Sequence, residues 1–353
     1  MKNKFFQFLI LSIIVLFVAR GKEAIEYAKE AMELCYHMII PTLFPFFICS
    51  GLLIYSGFCE SVSKIFAPVM KPLFNVNSNG SAAFVLGIIS GYPLGAVTVC
   101  NLYQGLYISK TEAERMLGFC NNSGPLFILG SVGIGMYFSL DIGIMLYLVH
   151  IISAVLVGVL LRFYKKNDYL APETKITVRE NSPVAGFGEV LENSLRSILN
   201  VCGAVIFFSV VSRLCIDFVR LKEQYMTLIY GICEFASGTA RVSALDIDFL
   251  SKMILSSFIV GFAGISVHIQ VLAVVSKYSL SMKPYILGKL LQGIVSAVIM
   301  YTFLKISGFT KAELTLNLSS GFMMNSAFVI ISVVILMLGA FAIKWFKGKK
   351  ACE

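Results

Sequence analysis

The sequence predicts an all-α, polytopic membrane protein of about eight transmembrane helices plus two re-entrant helical hairpins in an inverted repeat. Three observations lead there. Hydrophobic residues make up 58% of the chain and charged ones 14%, with a mean hydropathy of +0.83, where a soluble domain carries about 25% charged residues. Apolar stretches of span length recur from Phe5 to Phe346, whereas a transmembrane barrel would show weaker alternating segments of about ten residues. A glycine-rich polar interruption also occurs twice in apolar sequence, as GFCNNSGPLFILGSV at 118–132 and GFAGISVHIQVLAVV at 261–275. Hydrocarbon penalises unpaired amides and polar side chains, so such breaks persist only when buried in protein or lining a cavity. A matched pair in two halves of a chain points to a transporter-type binding site.

The elements follow in order. Residues 1–20 have a basic start and an apolar body but no small-x-small cleavage site, and read as a retained span. In 21–38, Ala24, Ala28, Ala31 and Cys35 recur at helical spacing opposite Glu23, Glu26, Glu30 and Glu33, the pattern of an amphipathic interfacial helix. A second span over 39–58 carries Pro41 and Pro45, which kink a helix unless neighbours satisfy the freed carbonyls. Residues 81–106 are split by Ser90-Gly91-Tyr92-Pro93-Leu94-Gly95 into two apolar arms. Arms of about ten residues reach about 15 Å, half a bilayer core, which favours a re-entrant hairpin over a kinked span. Residues 115–137 hold the first break and 140–161 a cleaner span; 163–190 is the one long hydrophilic segment, a cytoplasmic linker. The second half repeats the plan with a span at 195–216, an interrupted segment at 228–242, the second break within 254–276, a span at 285–306 and a final one at 321–346. The expected organisation is therefore 1–38, N-terminal span and interfacial helix; 39–162, first repeat; 163–190, linker; 191–306, second repeat; 307–353, loop, last span and basic tail.

An offset of 143 maps 118–155 onto 261–298 without a gap, with ten of 38 positions identical, including Ser153-Ala154-Val155 on Ser296-Ala297-Val298. The hairpins align at an offset of 144, Gly87 on Gly231 and Ala96 on Ala240. Each unit crosses three times, so consecutive copies face opposite ways. With both termini cytoplasmic, 17 Lys/Arg fall inside and 10 outside, with Arg196 and Lys289 unplaced. The net charge of +9 is then a topology signal rather than a nucleic-acid footprint, and the tail lysines Lys344, Lys347, Lys349 and Lys350 fit it. The nine cysteines are scattered, most of them in apolar runs, and form no C-x-x-C, so neither zinc nor a disulfide framework is indicated.

Asn121, Asn122 and Ser123 offer donors and acceptors suited to a polar solute, or to hydrogen bonds between helices. Glu234 is the one acid within an apolar hairpin, so it must be paired (Arg241 stands seven residues on), protonated or hydrated. Ser237 follows it. His268 and Gln270 sit two residues apart just after Ser266, so on a strand-like stretch both would face one side, and His268 could pair with Glu234 or donate to a substrate, or be a structural histidine. There is no H-E-x-x-H, no G-x-S-x-G and no P-loop, and the three histidines sit in different segments, so no enzyme is expected.

PTLFPFFICSGLL (41–53), GYPLGA (91–96), FCNNSGPLFILGSVG (119–133) and GFAGISVHIQ (261–270) resemble the sporulation integral membrane protein YlbJ family. Wider kinship runs to proteins with the nucleoside-recognition Gate domain, including concentrative nucleoside transporters, whose sodium and nucleoside ligands are not recognisable here one by one. The resemblance implies a role in spore cortex formation and a transporter-like fold in the cell membrane. By position it implies a solute site at Tyr92, Pro93, Asn121, Asn122, Ser123, Glu234, Ser266, His268 and Gln270. The expected partners are the lipid bilayer, a small polar solute and, in a homo-oligomer, further copies of the chain. No cofactor is implied, Na+ or H+ being the coupling ions such a transporter would use. A non-transporting scaffold or regulator of cortex assembly is the alternative.

Overall fold

The computed structural model describes residues 2–56, 58–166, 168, 183–217 and 221–307. The final span at 321–346, the basic tail and most of the linker lie outside the described residues. Among the described residues the chain is helical, without a strand.

Helix α1 (Lys2–Ala19) leads into α2 (Gly21–Leu34), which buries Ala24 and Ala31 as the alanine stripe predicts. A π-helical turn at Cys35–Ile39 joins α2 to α3 (Ile40–Tyr55), with Pro45 inside the helix. The expected interfacial helix and second span thus run on as one helix, and Gly21–Leu52 is long and apolar enough to cross a membrane. Then come α4 (Phe58–Val69), α5 (Ser81–Ile89) and α6 (Leu94–Gln104), the last two packed as a helix–turn–helix. Next are α7 (Lys110–Leu117), a π-helical stretch at Phe127–Met136 and α8 (Leu140–Leu161). The second half contains α9 (Pro183–Ile216), α10 (Glu223–Cys233), α11 (Phe235–Ala244), α12 (Phe249–Phe262), α13 (Gly264–Val275) and α14 (Lys283–Ser307). Helix α9 begins inside the segment expected to be linker, at a proline whose missing N–H costs nothing in a first turn.

Among the described residues five stretches are long and apolar enough to span: Gly21–Leu52, Leu140–Leu161, Gly186–Ile216, Phe249–Val275 and Lys283–Ser307. Of the other three expected spans, the apolar part of α1 is short (Gln7–Ala19), 115–137 is divided by its break, and 321–346 is not described. Helices α8, α12 and α14 form the centre, where Ser296 donates to Ser153 at 2.7 Å.

Helix α7 reads as a charged surface turn, yet Glu112, Glu114 and Arg115 are buried. Ser109 and Glu112 cap its start reciprocally. Arg115 donates to the carbonyls of Asn75 (2.6 Å), Tyr164 (2.8 Å) and Lys165 (2.7 Å). Glu114 accepts from Tyr164 Oη (2.9 Å), Lys165 Nζ (3.1 Å) and Ser281 N (3.0 Å). This clasp ties the chain beyond α8 to both halves and sets where the first break begins, three residues after Arg115.

Candidate functional site

In each half the hairpin turn packs on the polar break of the same half. In the first, Gly95 lies so close to break 1 that a Cβ there would sit 2.0 Å from the Cys120 carbonyl oxygen. The Ala96 N–H, in the first turn of α6, donates to Asn121 Oδ1 at 3.3 Å. The turn itself contains a cis Tyr92–Pro93 peptide. In the second half Glu234 is the N-cap of α11, its carboxylate accepting from Ala236 N (3.1 Å) and Ser237 N (2.6 Å). The break there is two residues, Ala263 (φ 72°) and Gly264 (φ 70°). A Cβ on Gly264 would lie 2.9 Å from Phe235 N, so both the positive φ and the close approach call for glycine.

The two turns, the first break and the start of α13 just after the second break meet on one cavity of about 40 Å3. Its polar lining is Ser90, Tyr92, Ser123, Glu234, Ser266 and Gln270, and the rest is largely apolar, with Leu43, Phe47 and Val205 contributed by α3 and α9. The hydroxyls of Ser90, Tyr92, Ser123 and Ser266 are buried without a well-formed hydrogen bond, Tyr92 standing beside Ser123 and Ser266 beside Glu234, an arrangement that a bound polar molecule would complete. A second cavity of about 300 Å3 shares Phe47, Ser90 and Tyr92 with the first and extends along α9 past Glu189 and Asn193.

The expected site residues separate on this geometry. Tyr92, Ser123, Glu234, Ser266 and Gln270 reach the first cavity, and Pro93 lines the second. Asn121 Oδ1 is taken by α6 while its Nδ2 is buried without a well-formed hydrogen bond, and Ser237 Oγ bonds Ser209 Oγ at 2.7 Å. His268 does not line the cavity: Nδ1 meets the Gly264 carbonyl at 2.7 Å, and the ring packs on Phe262 and Tyr285. The strand-like reading of 266–270 gives way because the helix resumes at Gly264, and two positions on a helix stand about 200° apart. Glu234 pairs with neither His268 nor Arg241; the latter lies 3.8 Å from Glu30.

Asn122 faces a buried network behind Tyr92. Its Oδ1 accepts from Gln292 Nε2 (3.0 Å) and Lys289 Nζ (3.4 Å), and Lys289 donates to Gln292 Oε1 at 2.7 Å. The Lys289 ammonium also stands 5.3 Å from the Tyr92 ring centroid. Ser123 N donates to His150 Nε2 at 3.1 Å, so that nitrogen carries no proton and the ring is neutral. Lys289, Gln292 and His150 are absent from the expected site. Their signal was a lysine and a glutamine at i, i+3 inside an otherwise apolar span.

Membrane-length helices around a buried polar centre, reached by two hairpin turns and two helix breaks, define a multi-pass helical membrane protein. Residues 37–164 match the Gate family model, described as nucleoside recognition. The chain is 31% identical to the "Sporulation integral membrane protein YlbJ" of Bacillus subtilis (strain 168), over 83% of this chain and 80% of that one. It belongs to the YlbJ family of sporulation integral membrane proteins. No solved structure matches it.

Proposed function

We propose that this chain is a non-enzymatic, transporter-like protein required for spore cortex formation, which moves a small polar solute across a membrane of the sporulating cell. The observation that carries this reading is the meeting of both turns, the first break and the start of α13 on one cavity whose four buried hydroxyls lack a well-formed hydrogen bond. At about 40 Å3 the cavity has room for about three waters, so a larger solute requires the turns to part. Two halves related as an inverted repeat have a way to do so. Ser153 and Ser296, equivalent at offset 143, touch each other, as residues on a local twofold axis must.

The wider cavity opens beside the start of α9, the cytoplasmic end if both termini are inside. Some 20 residues further along α9, about 30 Å away, the other end is tied shut. There Arg20 pairs with Asp217 at 3.5 Å, Arg213 pairs with Glu30, and Tyr230 donates to Asp217 at 2.7 Å. One open and one latched end is the arrangement that alternating access uses.

A scaffold for cortex assembly is the second reading, favoured by the largely apolar lining of the small cavity. Val205→Phe separates the two, since it fills the cavity from its apolar wall and leaves the polar groups in place. In a sporulating host lacking its own family member, transport predicts loss of cortex at normal protein abundance, together with loss of any small polar molecule that mass spectrometry finds on the purified wild type. A normal cortex with the cavity filled would sink transport in favour of the scaffold.

A further inference from the structure

Lys289 is fully buried in α14, and no carboxylate among the described residues forms an ion pair with it. Isolated charge at such depth is expensive unless its surroundings are built for it, and here they are. The Asn122 amide nitrogen is committed to the Phe119 carbonyl at 2.8 Å, which turns Oδ1 toward the ammonium. The Gln292 amide nitrogen is committed to Asn122 Oδ1 and to the His150 carbonyl at 3.2 Å, which turns Oε1 the same way. The two oxygens are thus aimed by bonds in which Lys289 takes no part, and the face of the Tyr92 ring is near the same charge. His150 is neutral, so the ammonium is the one formal charge in the network. Two preset neutral oxygens beside an aromatic face are ligands for a hard monovalent cation.

We propose that Lys289 is a tethered internal cation, its ammonium standing where an alkali-metal ion would otherwise bind between Asn122, Gln292 and Tyr92. The protein then carries its own positive charge at the centre and needs no sodium there. Removing the ammonium turns the pocket into a sodium site, with water completing the coordination in the space of the lysine stem. This inference rests on the buried network alone and is independent of whether a solute moves.

The test is thermal unfolding of the full chain in detergent, in NaCl against choline chloride at equal ionic strength. Wild type unfolds at the same temperature in both salts. Lys289→Ala is destabilised in choline and recovers saturably with sodium, by about 4 °C when sodium reaches a hundred times its dissociation constant. Lys289→Met, which fills the stem space without a charge, gains nothing from sodium. The proposal fails if wild type shows a saturable sodium shift, or if the alanine variant behaves alike in both salts or is unfolded in every salt. It fails too if the methionine variant responds as the alanine variant does.

Discussion

Glu234 is 1% exposed and forms no ion pair among the described residues, yet the fold holds it by giving its carboxylate two N–H donors at the positive end of α11. Glu234→Ala strands both buried amides and removes the cap, a loss of about 2 kcal/mol, read as a lower midpoint in detergent unfolding. Glu234→Gln keeps one acceptor oxygen and loses about half as much. If Glu234 also meets the solute, the glutamine variant stays abundant but fails to support cortex, whereas a residue that only caps leaves the cortex normal. An acid alone in an apolar hairpin is visible in the sequence. Its partner was not, because a cap depends on the extended backbone at Glu234 itself, and Arg241, the nearest cation along the chain, turns to a different helix. Lys289 was hidden for a related reason: its oxygens come from Asn122, 167 residues away, and from Gln292, which sequence spacing suggests only once a network is suspected.

The breaks and turns were legible as elements because glycine, proline and asparagine inside apolar runs have few other uses. The role of α7 was not, since Lys110–Leu117 has the composition of an exposed turn. Only tertiary structure shows that its arginine serves three carbonyls that no helix satisfies, two of them just beyond the end of α8. The planar fork of a guanidinium fits three such acceptors, and a lysine ammonium cannot span them. Arg115→Lys should therefore lower stability almost as much as Arg115→Ala, by about 1–3 kcal/mol, the cost of taking the donor from partly buried carbonyls. Limited proteolysis should show new cleavage between α8 and α9 in both variants. An arginine that acted only as a positive charge would instead be replaced by lysine without loss.

At the scale of the molecule, the question is whether the repeat inverts. The contacts sort the chain ends of the helices into two groups. Glu114, Lys165 and Ser281 meet at one end, and Tyr278 Oη reaches Gln104 at 3.3 Å. Arg20, Glu30, Arg213, Asp217 and Tyr230 meet at the other. The loop before α8 and the loop before α14 are equivalent at offset 143, and an inverted repeat must place them on opposite faces of the membrane. Phe138 in the first is 86% exposed, and Ser279 in the second is exposed. Cysteines placed there one at a time, in a chain whose native cysteines are replaced, meet a membrane-impermeant maleimide from different sides. In the plasma membrane of a heterologous host, Phe138→Cys should label on intact cells and Ser279→Cys only after permeabilisation. The reverse pattern keeps the inversion and flips the termini to the outside. Labelling of both from one face would mean that the two halves run parallel, and the shared cavity would then lose its symmetry argument for access from both sides.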